Sequence, residues 1–137
     1  MSGRIVSIPP EHVSERVDLS AREIQIGTDL GFLESAEAGQ LEPASIEDGQ
    51  RDPRGVWAYL ALSWILDNPD AYPDPWEAIE EVWERLDHFD EISGLIRWMP
   101  PPSGEPLGME GMERRWRDYV QAGRLRYLKK PSSRRPE

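Results

Sequence analysis

An all-α fold is predicted for this chain of 137 residues, a compact single domain of five or six short helices. Three observations predict it. Apolar residues recur at three- and four-residue spacing over several stretches, the signature of helices with one buried face. Ser20-Ala21-Arg22-Glu23, Asp52-Pro53 and Asp74-Pro75 each spell a helix start. Thirteen prolines and 11 glycines keep the elements short. A domain of this size buries roughly 68% of the surface its unfolded chain exposes, enough for a core without staples. Six tryptophans and an apolar content of 38% argue for an ordered chain, and the absence of cysteine removes disulfides, thiolate ligands and thiol nucleophiles. No apolar run approaches the roughly 18 residues that cross a bilayer, and the N-terminus lacks the form of a secretory signal. A soluble, cytoplasmic protein is expected.

The elements follow in order. Ser20 and Glu23 form a capping box, with Leu19 and Ile24 placed to staple across it. Ile24, Gly27 and Leu30 share a face, and Gly31 is placed to end the helix in a left-handed conformation. Gly27 in mid-helix costs about 1 kcal/mol relative to Ala, which a close packing contact would explain. Ser35 to Leu41 is predicted as a short helix ended by the restriction Pro43 places on Glu42, and 44–51 as a loop. Asp52 then caps a helix from Pro53 to Leu66 whose stripe is Trp57, Leu60, Ala61, Trp64 and Ile65, stopped by Asn68-Pro69. Asp74 caps a helix from Pro75 to His88 whose stripe is Trp76, Ile79, Val82, Trp83 and Leu86, and Asp74 and Glu77 repeat the capping-box spacing. Two tryptophans seven residues apart in each helix let the stripes face each other as an antiparallel pair. A shorter helix from Glu91 to Trp98, capped by Asp90, is cut off by Pro100-Pro101-Pro102. The last runs from Met109 to Ala122 and is ended by Gly123, and Arg124 to Lys130 alternates weakly, as a short strand or an irregular packed segment. The helical domain thus spans 1–130, and residues 131–137 form a basic, flexible tail.

Charge is segregated along the chain. The net −10 divides into seven basic and 23 acidic side chains over residues 1–110, a balance of −16, and nine basic and three acidic over 111–137, a balance of +6. Ten carboxylates lie between Asp67 and Glu91, opposed only by Arg85. Such a surface repels phosphate and steers a basic partner, so the main body is not expected to bind nucleic acid. The plainer reading is a solvated helix face that keeps the protein soluble.

Catalytic and metal signatures are sparse. His12 and His88 stand in no ligand motif, and Asp67-Asn68-Pro69-Asp70 misses the calcium-loop spacing, while Pro69 and Pro73 prevent the one-faced helix a magnesium–diphosphate cluster needs. The carboxylates of Glu77, Glu80, Glu81 and Glu84 fall away from the apolar stripe, where nothing would shift their pKa values towards catalysis. No catalytic residue, cofactor or metal ligand is assigned. The candidate partner-binding residues are Asp67, Asp70, Tyr72, Asp74, Trp76, Glu77, Glu80, Glu81, Glu84 and Asp87, with Tyr72 and Trp76 as aromatic anchors amid the acids.

The order of Leu19 to Leu33, the Trp/Leu helix ending Leu66-Asp67-Asn68, Asp74-Pro75-Trp76-Glu77, Val82 to Ile92 and Ile96-Arg97-Trp98-Met99-Pro100 resembles a small bacterial family, domain of unknown function 2247, over about Val17 to Pro101. Members of that family look like immunity proteins encoded beside toxins delivered to competing bacteria. The resemblance implies a binding protein that neutralises a cognate toxin, a basic domain such as a nuclease, through the acidic surface. It involves no membrane and sets no oligomeric state. The alternatives are a small carboxylate- or metal-dependent hydrolase built on the same segment, or a regulatory scaffold module using the basic tail.

Overall fold

The computed structural model describes residues 6–43, 52–72, 74–96 and 109–127. Among them the chain forms six α-helices: α1 (Pro10–Arg16), α2 (Ala21–Asp29), α3 (Ser35–Ala38), α4 (Pro53–Asp67), α5 (Pro75–Arg85) and α6 (Met109–Arg126). Two 3-10 helices, Pro69–Ala71 and Asp90–Leu95, flank α5. The all-α expectation holds, and no strand occurs among the described residues. The loop 44–51 and the tail 131–137 lie outside them.

α4 is the hub. Asp52 accepts from the Arg54 amide and Pro53 opens the helix, as the sequence predicts. The expected apolar stripe is not what the helix shows, since every residue from Gly55 to Ser63, and Ile65, is buried. A helix apolar all round must be covered all round, and α1, α2, α5 and α6 each pack against it. One continuous cluster of buried side chains runs from Val6 to Tyr127 around it.

Glycines in three helices admit aromatic rings at this hub. A Cβ on Gly27 would collide with the six-membered ring of Trp57, which is the close contact its sequence position predicts. A Cβ on Gly123 would lie 2.6 Å from Cδ1 of Tyr59, and one on Gly55 2.5 Å from the Tyr127 hydroxyl. This corrects the C-terminal prediction. Gly123 does not end α6; it stays helical so that Tyr59 can approach the backbone. The helix continues through Arg126, and no strand forms over 124–127.

The N-terminal half is tied on through specific bonds. Ser20 Oγ accepts from the Glu23 amide at 3.1 Å while Glu23 Oε1 accepts from the Ser20 amide at 3.0 Å, the predicted reciprocal cap. Gly31, at φ 88°, ends α2 with Phe32 N–H donating to the Gly27 carbonyl and Gly31 N–H to that of Thr28. α3 stops at Ala38, short of the predicted Leu41. α1 was not foreseen; Pro9-Pro10 opens it, with Pro10 at the position where a missing N–H is harmless. Arg85 then clamps this half to α5. It donates to the carbonyls of Val6 (2.8 Å) and Gly31 (3.2 Å), pairs with Glu81, and lies over the Phe32 ring, which stacks on Trp57.

α5 ends earlier than predicted, at Arg85. Asp87 N–H donates to the Glu84 carbonyl and His88 N–H to that of Trp83, closing the helix with Asp87 where glycine usually stands. Asp87 (φ 62°) and His88 (φ 58°) are both left-handed. The segment after them is a 3-10 helix rather than the expected α-helix, and Asp90 does not cap it. Ser93 and Gly94 are weak helix formers, and the turn leaves few residues to build on.

Candidate functional site

The acidic stretch divides when its side chains are placed. On α5, Glu77, Glu80, Glu81 and Glu84 occupy positions i, i+3, i+4 and i+7, one face of a helix whose other face buries Ala78, Ile79, Val82 and Trp83. Glu77 and Glu84 are exposed, whereas Glu80 and Glu81 are half-buried and Glu81 pairs with Arg85. Arg85 is turned inward to backbone carbonyls and to Glu81, and among the described residues it pairs with neither Glu77 nor Glu84. Asp70, in the 3-10 helix before α5, Asp87, in the turn after it, and Asp90, at the start of the next 3-10 helix, are exposed. Among the described residues none of Asp70, Glu77, Glu84, Asp87 and Asp90 joins an ion pair.

Other predicted residues have different tasks. Asp74 is the N-cap of α5, accepting from the Trp76 amide at 3.1 Å, and among the described residues no bond from its own N–H to Glu77 completes a box. Asp67 turns away from α5 and accepts from Arg16 at 2.9 Å, which offsets a carboxylate at the unfavourable C-terminal end of α4. Tyr72 is buried, its hydroxyl accepting from the Trp64 indole N–H at 2.9 Å, and burial raises its pKa. It lies beneath the acidic surface and is not an exposed anchor. Trp76 is half-buried, edge-on to Trp116 with ring centroids 5.1 Å apart. Four other indoles are fixed by their N–H groups: Trp57 to the Glu23 carbonyl, Trp64 to Tyr72, Trp83 to Ser93 and Trp116 to the Leu62 carbonyl. Trp76 makes no such bond among the described residues, which leaves it as the aromatic side chain presented beside the ridge.

Sequence reasoning missed the contribution of α6. A cleft of about 430 Å³ opens between Asp90–Leu95 and α6, lined by Asp90, Glu91, Leu95, Arg115, Asp118 and Tyr119. Tyr119 donates to Glu91 Oε1 at 3.2 Å, and burial, then the Glu91 charge, push its hydroxyl far above the ordinary phenol range. Arg126 lies 3.6 Å from Glu91 Oε2. Asp90 and Asp118 are 28 residues apart, and no local pattern could have joined them.

His12 and Ser63 meet in the core, Nε2 to Oγ at 2.9 Å. Burial, and then Arg16, lower the His12 pKa to about 4, so the ring is neutral at physiological pH. Ser63 Oγ donates to the Leu60 carbonyl at 3.0 Å, so its proton is held by its own helix and the pair cannot act as nucleophile and base. Among the described residues no group of three or more His, Asp or Glu side chains is placed to hold a metal ion, and no helix is long and apolar enough to cross a membrane.

The profile of a family described as "Uncharacterized protein conserved in bacteria (DUF2247)" matches residues 39–124. The match begins after the capped α2 and reaches α6, so it is centred on α4, α5 and α6 and not on Val17 to Pro101 as the resemblance suggested. No curated protein and no solved structure matches the chain.

Proposed function

We propose that this chain, which belongs to the DUF2247 family of proteins conserved in bacteria, neutralises a cognate bacterial toxin by binding it. It acts as an immunity protein in the cytoplasm of the producing cell, and its target is a basic domain, of which a nuclease is one example. The observation that carries this reading is the row of exposed carboxylates, Asp70, Glu77, Glu84, Asp87 and Asp90, which join no ion pair among the described residues while the single arginine of the segment is engaged internally. A field of one sign on a rigid helix accelerates encounter with an opposite charge. Trp76 supplies an anchor at its edge. The cleft between Asp90–Leu95 and α6 is lined by three carboxylates, Asp90, Glu91 and Asp118, against one cation, Arg115, whose Nε–H is engaged by the Gly94 carbonyl, so its balance also favours a basic side chain.

Co-expression with the toxic product of the neighbouring gene tests the proposal. Wild-type protein restores growth, and a Glu77→Lys/Glu84→Lys variant with an unchanged helical spectrum does not. Full rescue by that variant removes the reading. Asp74 is unsuitable for such a test, because its replacement removes the cap of α5 as well as a charge.

A further inference from the structure

A second cleft, of about 500 Å³, lies between the end of α1, the middle of α4 and the end of α6. Its polar wall comprises Glu15, Arg16, Tyr59, Ser63, Asp67 and Arg124. Arg16 is held by Asp67 at 2.9 Å and Glu15 at 3.5 Å. Arg124 is exposed and, among the described residues, joins no ion pair.

Tyr59 is the unusual member. The residue is only 3% exposed, and its ring is wedged against Gly123 and lies 5.8 Å, centroid to centroid, from Tyr127. Among the described residues its hydroxyl has no hydrogen-bond partner. A buried hydroxyl without a protein partner is disfavoured, and phenylalanine would fill the same space without that cost. Burial, and to a lesser degree Asp67, raise the pKa of Tyr59 against the opposing pull of Arg16 and Arg124, so at neutral pH the hydroxyl is a protonated donor in a cleft that both guanidinium-bearing residues also line. Ser63 cannot add a donor, since its proton is held by the Leu60 carbonyl. Glu15 and Asp67 at the rim disfavour a doubly charged ligand.

We propose that this cleft binds a single carboxylate group, accepting from the Tyr59 hydroxyl and the Arg124 guanidinium. The site is separate from the ridge on α5, so the toxin-binding reading stands or falls without it. Titration of the full chain with sodium acetate at constant ionic strength, followed by NMR, is the test. The Tyr59 ring and Arg124 Nε–H resonances shift and saturate by about 100 mM, and inorganic phosphate binds more weakly. Tyr59→Phe and Arg124→Gln each weaken acetate binding about tenfold, and Tyr59→Phe does not lower the thermal midpoint. Absence of saturation, tighter binding of phosphate than acetate, or a Tyr59→Phe variant that binds acetate normally overturns the proposal.

Discussion

At the scale of single residues, burial decides what each polar group does. His12 has a folded-state pKa near 4 against an ordinary 6.5, so between those values the unfolded chain takes up a proton that the native state refuses. Stability is therefore complete above about pH 6.5 and falls as the pH drops towards 4, by at most about 1.4 kcal/mol per unit from this group. Urea melts from pH 7 to 5 should show this slope, and His12→Gln should flatten it. Gly27 makes a second case. Its sequence position announces a close contact but not the partner, which is Trp57, 30 residues on. Gly27→Ala gains helix propensity yet drives a methyl into a buried indole, and is expected to cost about 2 kcal/mol or more in chemical denaturation. Tyr72 looks like a surface aromatic because its neighbours in sequence are acidic. Only the fold reveals that the Trp64 indole claims its hydroxyl.

At the scale of elements, helix starts are legible and helix ends are less so. Ser20, Asp52 and Asp74 cap as predicted, because a cap is chemistry between residues two or three apart. Ends depend on tertiary contacts. Gly31 stops α2 by going left-handed, whereas Gly123 continues α6 to make room for Tyr59, and both are the same residue in a string of letters. α5 is closed off by Asp87, two residues beyond its end, a non-glycine in the left-handed region, a strain of about 1 kcal/mol. Asp87→Gly should therefore raise the thermal midpoint by a few degrees. If the ridge is the binding surface, the same variant also slows association with the partner, because a carboxylate has gone. Arg85 joins two elements at once. Arg85→Met should loosen the N-terminal segment around Val6 and the Gly31 turn, seen as faster amide exchange at Ile8, whose N–H bonds the Phe32 carbonyl, while α4 stays protected.

At the scale of the whole molecule, composition and charge segregation are read directly from the chain, but the shape of the charged surface is not. Ten carboxylates between Asp67 and Glu91 become one face of α5 with a turn at each end, after Asp67 pairs with Arg16 and Asp74 is used as a cap. Asp118 joins from α6, beyond the reach of any local pattern. The all-round burial of α4 was present as the unbroken run Val56 to Leu62, which reads equally as a stripe until four helices are found around it. The most direct measurement of the central claim is the association rate of the protein with the toxin domain, at low and high salt, for wild type and for Asp70→Lys/Glu77→Lys/Glu84→Lys. Fast, salt-sensitive association by wild type, and a variant slowed at least about tenfold at low salt with a flattened salt dependence, is the expected result. An unchanged rate and an unchanged salt dependence in the variant would contradict the account.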